Sequence, residues 1–223
     1  MSKGIVLSLY DYTGEALKPW AQAGYLCYAF DIQHPQEGRS DGNITYAYAD
    51  LHNPEWLDVI KKTFENENVV FAMGWPVCQH MAVSGAAWFA SKAEVDPEFQ
   101  VKAVGHATRC ADLFDALGVP YMIENPVSVL ATKWRKPDHS FHPYEFGEYI
   151  PEDQGEHPRW PEYIAPFDAY TKKTCLWTGG GYKMPPKLPT CKPTGYSTQH
   201  KKLGGKSKKT KDIRSATPRG FAI

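Results

Sequence analysis

GIVLSLYDYTGEALKPWAQAGYLCYAFD, residues 4–31, has the order of a strand, a turn, a helix and a second strand. Gly4–Tyr10 and Tyr25–Phe30 are apolar runs of strand length, and Glu15–Ala23 between them places apolar residues at helical spacing. Gly24 follows as a typical helix stop. Because two strands joined by a helix lie parallel in one sheet, the stretch predicts a βαβ unit.

The same alternation continues along the first half of the chain. Further strands are predicted at Tyr46–Ala49, Val69–Met73 and Pro120–Ile123. Further helices are predicted after a capping Asn53, beginning at Pro54, and over Pro97–Leu117. Gln33–Asn43 and the long segment before Pro97 are predicted to be loops. The fold class is therefore α/β, an open, mostly parallel Rossmann-like sheet with helices on both faces.

The rhythm of strands and helices ends after Pro126. Arg135–Tyr170, rich in Pro, His and aromatic residues, is predicted to be an irregular excursion, and Thr174–Trp177 to be one more strand. We therefore expect an α/β core at residues 1–130. Residues 131–223 would form an irregular region that returns late strands and a basic tail to the core.

Composition bounds the class of protein. The 223 residues carry no formal net charge, and no apolar stretch approaches the roughly 20 residues that span a bilayer. The first residues show no signal-peptide pattern, and five cysteines without paired spacing suit a reducing compartment. We expect a cytoplasmic protein that does not associate with membranes.

Four reactive side chains lie at the ends of predicted strands: Asp31, Asp50, Cys78 and Glu124. In an open parallel sheet the carboxyl ends of the strands share one edge, and ligands bind in the crevice there. Residues distant in sequence would thus meet at one site. The arrangement favours an enzyme that holds a nucleotide-like cofactor beside a reactive thiol.

The cofactor side of this site would begin at the turn Asp11–Gly14. The turn leads into a helix N-terminus, where free backbone N–H groups favour polar or anionic ligands. Asp31, at the end of the next strand, is placed to accept hydrogen bonds from ribose hydroxyls, and Asp50 could meet an adenine amino group. Alternatively, Asp31 caps local N–H groups and Asp50 only forms a turn.

The reactive side would consist of Cys78 and Glu124. Cys78 lies in a stiff loop, where backbone N–H groups or His80 could lower the pKa of its thiol. A buried Glu124 could hold a proton and donate it. A thiol and a carboxylic acid together can activate a pyrimidine ring, whereas the alternative for any free cysteine is an inert, buried position.

Two motifs in this order resemble those of the DNA cytosine-C5 methyltransferases, especially small phage-encoded homologues. Pro76-Val77-Cys78-Gln79 is similar to the family's Pro-Pro-Cys-Gln, which carries the nucleophile, and Glu124-Asn125-Pro126 to its Glu-Asn-Val, which carries the acid. Val77 replaces the second proline. Shorter similarities lie at Leu9–Gly14 with Gly24 and Asp31, at Tyr170–Trp177, and at Arg214–Arg219.

The resemblance implies a Rossmann-like methyltransferase that uses S-adenosylmethionine on DNA, in a bacterial or phage-infected cell. The implied cofactor contacts are Tyr10, Asp11, Tyr12, Thr13, Gly14, Asp31, Ile32, Asp50, Leu51 and Pro76. The implied catalytic residues are Cys78 and Glu124, assisted by Gln79 and Arg109. The implied substrate contacts are Ser84, Asn125, Pro126 and Lys173.

The mechanism that the resemblance implies proceeds through a covalent intermediate. The target cytosine leaves the base stack, Cys78 adds to C6, Glu124 holds N3, and C5 takes the methyl group. The region for target recognition is much shorter than in the family. Two alternatives therefore remain: the same thiol chemistry on a free nucleotide or a modified base, or a catalytically silent binding subunit.

Charge is unevenly distributed in the second half of the chain. Lys192–Arg219 holds nine basic residues and one acidic residue, a block that can contact phosphates or form a solvated loop. Glu145–Asp168 is acidic and rich in proline. His139, His142, His157, Cys175 and Cys191 lack paired ligand spacing, so no metal site is expected.

Overall fold

The computed structural model describes residues 2–193, 199, 202–204 and 207–223. The chain divides into two compact units. The first consists of Met1–Ser140 and Cys175–Lys183, and the second of Phe141–Thr174 and Met184–Ile223.

The described residues form one eight-stranded sheet, which confirms the predicted fold class. Its strands are β1 (Ile5–Leu9), β2 (Leu26–Asp31), β3 (Arg39–Asp41), β4 (Ile44–Tyr48), β5 (Val69–Gly74), β6 (Tyr121–Pro126), β7 (His139–Phe141) and β8 (Thr174–Gly179). Their spatial order is β3-β4-β2-β1-β5-β6-β8-β7. β1 pairs parallel with β2 and β5, β2 with β4, and β5 with β6. The strand order reverses at β1, where an open α/β sheet leaves a crevice.

The helices occupy the intervals between the strands. They are α1 (Lys18–Gln22), α2 (Glu55–Phe64), α3 (Phe89–Val95), α4 (Phe99–Leu117), α5 (Leu130–Lys133), α6 (Lys208–Arg214) and α7 (Arg219–Ala222). Short 3-10 turns lie at Glu15–Leu17, Cys78–His80, Val83–Trp88, Pro143–Tyr149, Glu152–Gln154 and Pro166–Asp168. The helices predicted at Pro54 and at Pro97–Leu117 are confirmed, with bounds shifted by one or two residues.

Local sequence explains where these elements begin and end. The Asn53 side chain accepts a hydrogen bond of 3.1 Å from the Glu55 N–H, which caps α2 as predicted. Gly118 ends α4 in the left-handed conformation, at φ 66°. β1 is buried along its whole length, as a central parallel strand requires, and Leu7 and Leu9 lie in the main core with Phe114 and Trp177.

Two predicted loops contain regular structure. Within Gln33–Asn43, β3 pairs antiparallel with β4 at the edge of the sheet, although all of its residues are exposed. Before Pro97, the chain forms the 3-10 turn Val83–Trp88 and then α3. Neither element buries an apolar face that the sequence could signal, because β3 is wholly exposed and α3 has no buried residue.

The second unit holds the 3-10 turns at Pro143–Tyr149, Glu152–Gln154 and Pro166–Asp168 and the helices α6 and α7. A small core of Ile164, Tyr170, Leu203 and Ile213 holds it together. The buried carboxylate of Asp168 accepts a hydrogen bond from the Arg219 backbone N–H and lies 3.7 Å from its guanidinium Nε. No helix among the described residues combines the length and the apolar character that crossing a membrane needs.

Candidate functional site

Cys78 lies in a single 3-10 turn just beyond the end of β5. The Trp75 N–H donates a hydrogen bond of 3.0 Å to the Leu9 carbonyl, which holds the start of the loop to the end of β1. The Cys78 carbonyl accepts from the N–H groups of Met81 and Ala82, at 2.9 and 2.8 Å, and this closes the turn. The Cys78 side chain is exposed. The thiol is therefore not in an inert, buried position.

Asn125 joins the loop of Cys78 to the strand of Glu124. β5 and β6 are adjacent and parallel, with Gly74 opposite Ile123. The Asn125 amide, 1% exposed, donates through Nδ2 to the Pro76 carbonyl at 3.0 Å. A backbone carbonyl two residues before Cys78 is thus fixed to the residue that follows Glu124.

A second set of contacts joins the segments that follow Cys78 and Glu124. The Val83 N–H donates to the Val127 carbonyl, and the Val129 N–H donates to the Met81 carbonyl, each at 3.0 Å. Ala82 and Ser128 form the antiparallel bridge between them. The loops after β5 and β6 are therefore tied together on both sides of the turn.

The backbone at Val77 has a conformation that proline can also adopt. Val77 has φ −56° and ψ 114°, and proline fixes φ near −65°. A proline at position 77 would therefore suit the course of this loop. Three exposed apolar side chains lie in these two loops: Val77, Val83 and Val127.

Glu124 lies within β6, one position beyond the pairing of Gly74 with Ile123. Its side chain is partly buried, and its Oε1 is hidden from solvent.

His80 does not supply the positive charge that was considered for activating the thiol. Burial lowers the pKa of His80, and the nearby charge of Lys92 lowers it further, although Asp96 opposes the shift. The imidazole is therefore neutral at neutral pH. Its ring instead packs against Phe99 with 5.7 Å between centroids.

The turn after β1 is built around the buried carboxylate of Asp11. Asp11 Oδ1 accepts from the backbone N–H groups of Thr13 and Gly14, at 3.1 and 2.7 Å. The Glu15 N–H is directed to the Thr13 hydroxyl at 3.3 Å. The N–H groups that the sequence predicted to be free for a ligand are thus bonded within the turn, because Asp11 satisfies them locally.

A buried relay connects this turn to the loop of Cys78. The Trp75 indole N–H donates to the Ser8 hydroxyl at 3.0 Å, and that hydroxyl donates to Asp11 Oδ2 at 2.8 Å. Burial raises the pKa of Asp11, and its hydrogen bonds with Ser8, Gly14 and Thr13 oppose the shift. Tyr10, between these residues, has φ 60°, a strained value for a residue with a side chain.

The predicted cofactor acids lie at the ends of β2 and β4. Asp31 Oδ1 accepts from the Gln33 N–H at 2.8 Å, and no described residue donates to Oδ2. Asp50 Oδ1 accepts from the His52 N–H at 3.1 Å. Asp50 therefore forms a turn, as its alternative interpretation predicted. Each carboxylate therefore organises its own loop and still has one oxygen without a described donor.

Apolar side chains lie beside these acids. Ile32, directly after Asp31, is 50% exposed, and Tyr12 is 48% exposed and stacks on His34 at 5.6 Å. Leu51 is buried, and its carbonyl accepts from the Tyr10 hydroxyl at 2.9 Å. Burial raises the pKa of Tyr10. Pro76 is also buried.

The remaining predicted residues are less closely tied to Cys78. Gln79 is exposed, and its carbonyl accepts from Lys92 Nζ at 2.8 Å. Ser84 is exposed on the following 3-10 turn, and Pro126 ends β6. Lys173 is exposed in the second unit.

Arg109 belongs to a cluster that the sequence did not reveal. Its Nε is buried without a described acceptor, and its charge helps to lower the pKa of His106. His106 and His52 stack with 4.2 Å between centroids and 4° between planes, and the Tyr10 ring lies 6.0 Å from His52. The pKa of His106 falls to about 4, mainly through burial and then through His52, Arg109 and His80. The sequence offered only two indications of this cluster, namely the predicted ends of the strands and the predicted helix at Pro97–Leu117.

Among the residues that the structure describes, no three His, Cys, Asp or Glu side chains are grouped to hold a metal ion.

Comparison with solved structures finds distant similarities. No protein-family model matches the chain. No curated protein matches it either. Two solved structures of the MycE methyltransferase from the mycinamycin biosynthetic pathway are similar to it. The structure in complex with Mg and SAH is 16% identical, with 92% of this chain and 49% of that chain covered and a TM-score of 0.33. The structure in complex with Mg, SAH and mycinamycin VI is 13% identical, with 96% and 49% covered and a TM-score of 0.34.

The chain spans about half the length of these structures. Similarity at this level assigns no activity to it.

Proposed function

We propose that the protein transfers a methyl group from S-adenosylmethionine to C5 of cytosine in DNA, with Cys78 as the nucleophile and Glu124 as the acid. The observation that carries this proposal is the hydrogen bond from Asn125 to Pro76, which joins the loop of the thiol to the strand of the carboxyl group. The proposal requires that the thiol on this loop and the carboxyl group on this strand reach the same pyrimidine ring.

The residues at the ends of β1, β2 and β4 fit the proposed cofactor. Asp31 Oδ2 is available to ribose hydroxyls and a second Asp50 oxygen to an adenine amino group, while exposed Ile32 and Tyr12 offer apolar surface to the adenine ring. The Asp11 turn shapes this region, but its Thr13 and Gly14 N–H groups donate to Asp11 itself. The amino-acid end of the cofactor would therefore depend on other contacts.

The proposed reaction begins with the thiolate of Cys78. The Cys78 thiolate forms a bond to C6, and the electrons of the C5–C6 double bond move to C5. Glu124 donates a hydrogen bond at N3, which stabilises the charge that develops on the ring. When bound, S-adenosylmethionine would supply the methyl group, with cleavage of its S–CH3 bond and release of S-adenosylhomocysteine as C5 gains the methyl. Transfer of the C5 proton to water would then restore the C5–C6 double bond and break the bond from C6 to the sulfur of Cys78, which leaves as thiolate.

Covalent addition is what makes C5 reactive. Unmodified cytosine is a poor nucleophile at this carbon, whereas the adduct has enamine character. One difficult step is thereby divided into easier ones. The exposed position of Cys78 suits a base that has left the DNA stack, at an unstacking cost of a few kcal/mol.

The test is to incubate the protein with duplex DNA and S-adenosylmethionine, digest the DNA and measure 5-methyl-2′-deoxycytidine by mass spectrometry. We expect the methylated nucleoside with the wild type and none with Cys78→Ala. Methylation of free nucleotides but not of DNA would favour the alternative substrate. Neither product, together with no binding of S-adenosylhomocysteine by calorimetry, would favour a silent binding subunit and overturn the proposal.

A further inference from the structure

We propose that a basic face of the second unit binds the phosphate backbone of duplex DNA. We define this basic face as Arg159, Lys202, Lys208, Lys209 and Lys211. The inference rests on the proposed function only for the choice of DNA as the polyanion.

The neutral net charge of the chain conceals two oppositely charged units. The second unit holds 13 of the 25 Lys and Arg residues and 8 of the 25 Asp and Glu residues, a formal charge of +5. The first unit holds 12 and 17, a formal charge of −5. Such asymmetry between halves of a chain is typical of a protein with one polyanion-binding part.

The helix α6 presents three of the five cations of the basic face. The Ser207 hydroxyl accepts from the Thr210 N–H at 3.1 Å and so caps the helix. Thr210 and Ile213 are buried, and Ile213 packs in the small core of the unit. Since the inner face of α6 is fixed in this way, Lys208, Lys209 and Lys211 are exposed on the remaining surface.

Aromatic side chains hold two cations of the face in position. Lys209 Nζ lies 3.2 Å from the Tyr163 hydroxyl and 4.8 Å from the centre of its ring. The guanidinium of Arg159 lies 5.4 Å from the Trp160 ring, and Lys209 Nζ lies 5.9 Å from the same ring. Cations held over rings keep their charge and lose little further freedom when they bind a phosphate.

Most of the basic face is not neutralised by carboxylates. Lys202 Nζ donates to the Glu162 backbone carbonyl at 2.8 Å, and the partner of Lys209 is a hydroxyl. Lys208 pairs with Asp212 at 3.1 Å, but both side chains are exposed, and such pairs contribute little.

Elsewhere in the unit, two of its eight acidic side chains have their own cations. Glu145 pairs with Lys187 and Asp168 with Arg219. The unit's formal charge of +5 already includes all eight carboxylates.

The same contacts argue against a membrane as the partner. A helix that binds a lipid surface needs an unpartnered apolar face to insert beside its basic residues. The apolar residue Ile213 of α6 is completely buried within the unit. What α6 offers to solvent is charge alone, which suits a phosphate backbone read without base contacts.

The experiment measures binding of a fluorescent duplex DNA of arbitrary sequence to the full chain by anisotropy, over a series of salt concentrations. The test variant is Lys208→Gln/Lys209→Gln/Lys211→Gln. The control is Lys61→Gln/Lys62→Gln/Lys136→Gln, which removes the same charge from exposed positions of the first unit. We expect the slope of log K against log salt to fall by about 2 to 3 in the test variant. At about 0.1 M salt its affinity should fall on the order of a hundredfold. The control should keep most of the wild-type slope.

Three results would contradict DNA binding by the basic face. The first is an equal salt slope for both triple variants. The second is that the test variant loses binding to phosphatidylserine vesicles but not to duplex DNA, and the third is that it loses binding to RNA alone. Cys78→Ala in the same assay separates this inference from the chemistry, because it should bind DNA with the wild-type slope. If no variant methylates DNA but the test variant still loses its slope, the basic face stands and the proposed function fails.

Discussion

The buried amide of Asn125 donates a hydrogen bond of 3.0 Å to the backbone carbonyl of Pro76. Pro76 is two residues before Cys78, and Asn125 directly follows Glu124. One side chain thus connects the loop of Cys78 to the strand of Glu124, the two residues on which the proposed chemistry depends.

Replacing Asn125 with alanine should impair the rate of methyl transfer more than cofactor binding. The Pro76 carbonyl would lose its donor, and displacement of a reacting group by about 1 Å can cost on the order of a hundredfold in kcat. The free energy of unfolding should fall by about 1 to 3 kcal/mol. Denaturant unfolding and steady-state kinetics measure both. Asn43→Ala is the control, since its exposed amide makes only a 3.4 Å contact with Ala21. An unchanged kcat in a folded Asn125→Ala would refute the positioning role.

The Trp75–Ser8–Asp11 relay should behave as one unit. Ser8→Ala removes both of its hydrogen bonds, and Trp75→Phe removes only the indole donor. In a double-mutant cycle on the free energy of unfolding, the two changes should be less than additive, with a coupling of about 0.5 to 3 kcal/mol. Ser8→Ala should also weaken binding of S-adenosylhomocysteine, because Asp11 shapes the turn. Strict additivity would show that the relay does not couple the two loops.

Val77→Pro should stabilise the protein without loss of activity. Val77 already has φ −56°, and no described acceptor pairs with its N–H. Proline would restrict the unfolded chain and raise the free energy of unfolding by about 0.4 to 1 kcal/mol. Thermal unfolding measures the effect, with Val59→Pro inside α2 as the destabilising comparison. A lower melting temperature for Val77→Pro would mean that the loop has a different backbone conformation.

Stability should decline in mild acid because of His106. Its pKa falls from 6.5 to about 4, so the unfolded chain binds a proton below pH 6.5 that the folded chain does not bind until pH about 4. The penalty is absent above pH 6.5, grows as the pH falls, and is complete below about 4. Its size should be on the order of 2 kcal/mol for this partly exposed ring. His106→Gln should flatten this part of the stability curve in denaturant unfolding. An identical acid slope in both proteins would contradict the assignment.

The fold was predictable because its main strands and helices carry their own signals. Gly4–Tyr10 and Val69–Met73 are apolar runs of strand length, and Gly118 stops α4 as a left-handed cap. β3 was not predictable, since Arg39–Asp41 is polar and exposed and is extended only because it pairs with β4.

The site was predictable only as a set of strand ends. The sequence indicated that Cys78 and Glu124 follow neighbouring strands, but the donor that connects their loops depends on where the Asn125 side chain points. The same limit applies to Asp11. Its carboxylate satisfies the turn's own N–H groups, and sequence alone predicted those groups to be free. The stacked pair of His52 and His106 likewise depends on the packing of distant helices.

The most direct test of the central claim uses a DNA duplex that contains 5-fluorocytosine. Fluorine at C5 cannot leave as a proton does, so an enzyme that adds through a thiol and then methylates the ring stays attached. With S-adenosylmethionine present, we expect the wild type to gain the mass of the methylated DNA strand under denaturing conditions and Cys78→Ala to gain none. Glu124→Gln should form the adduct much more slowly. No adduct with the wild type, or the same adduct with Cys78→Ala, would contradict the account.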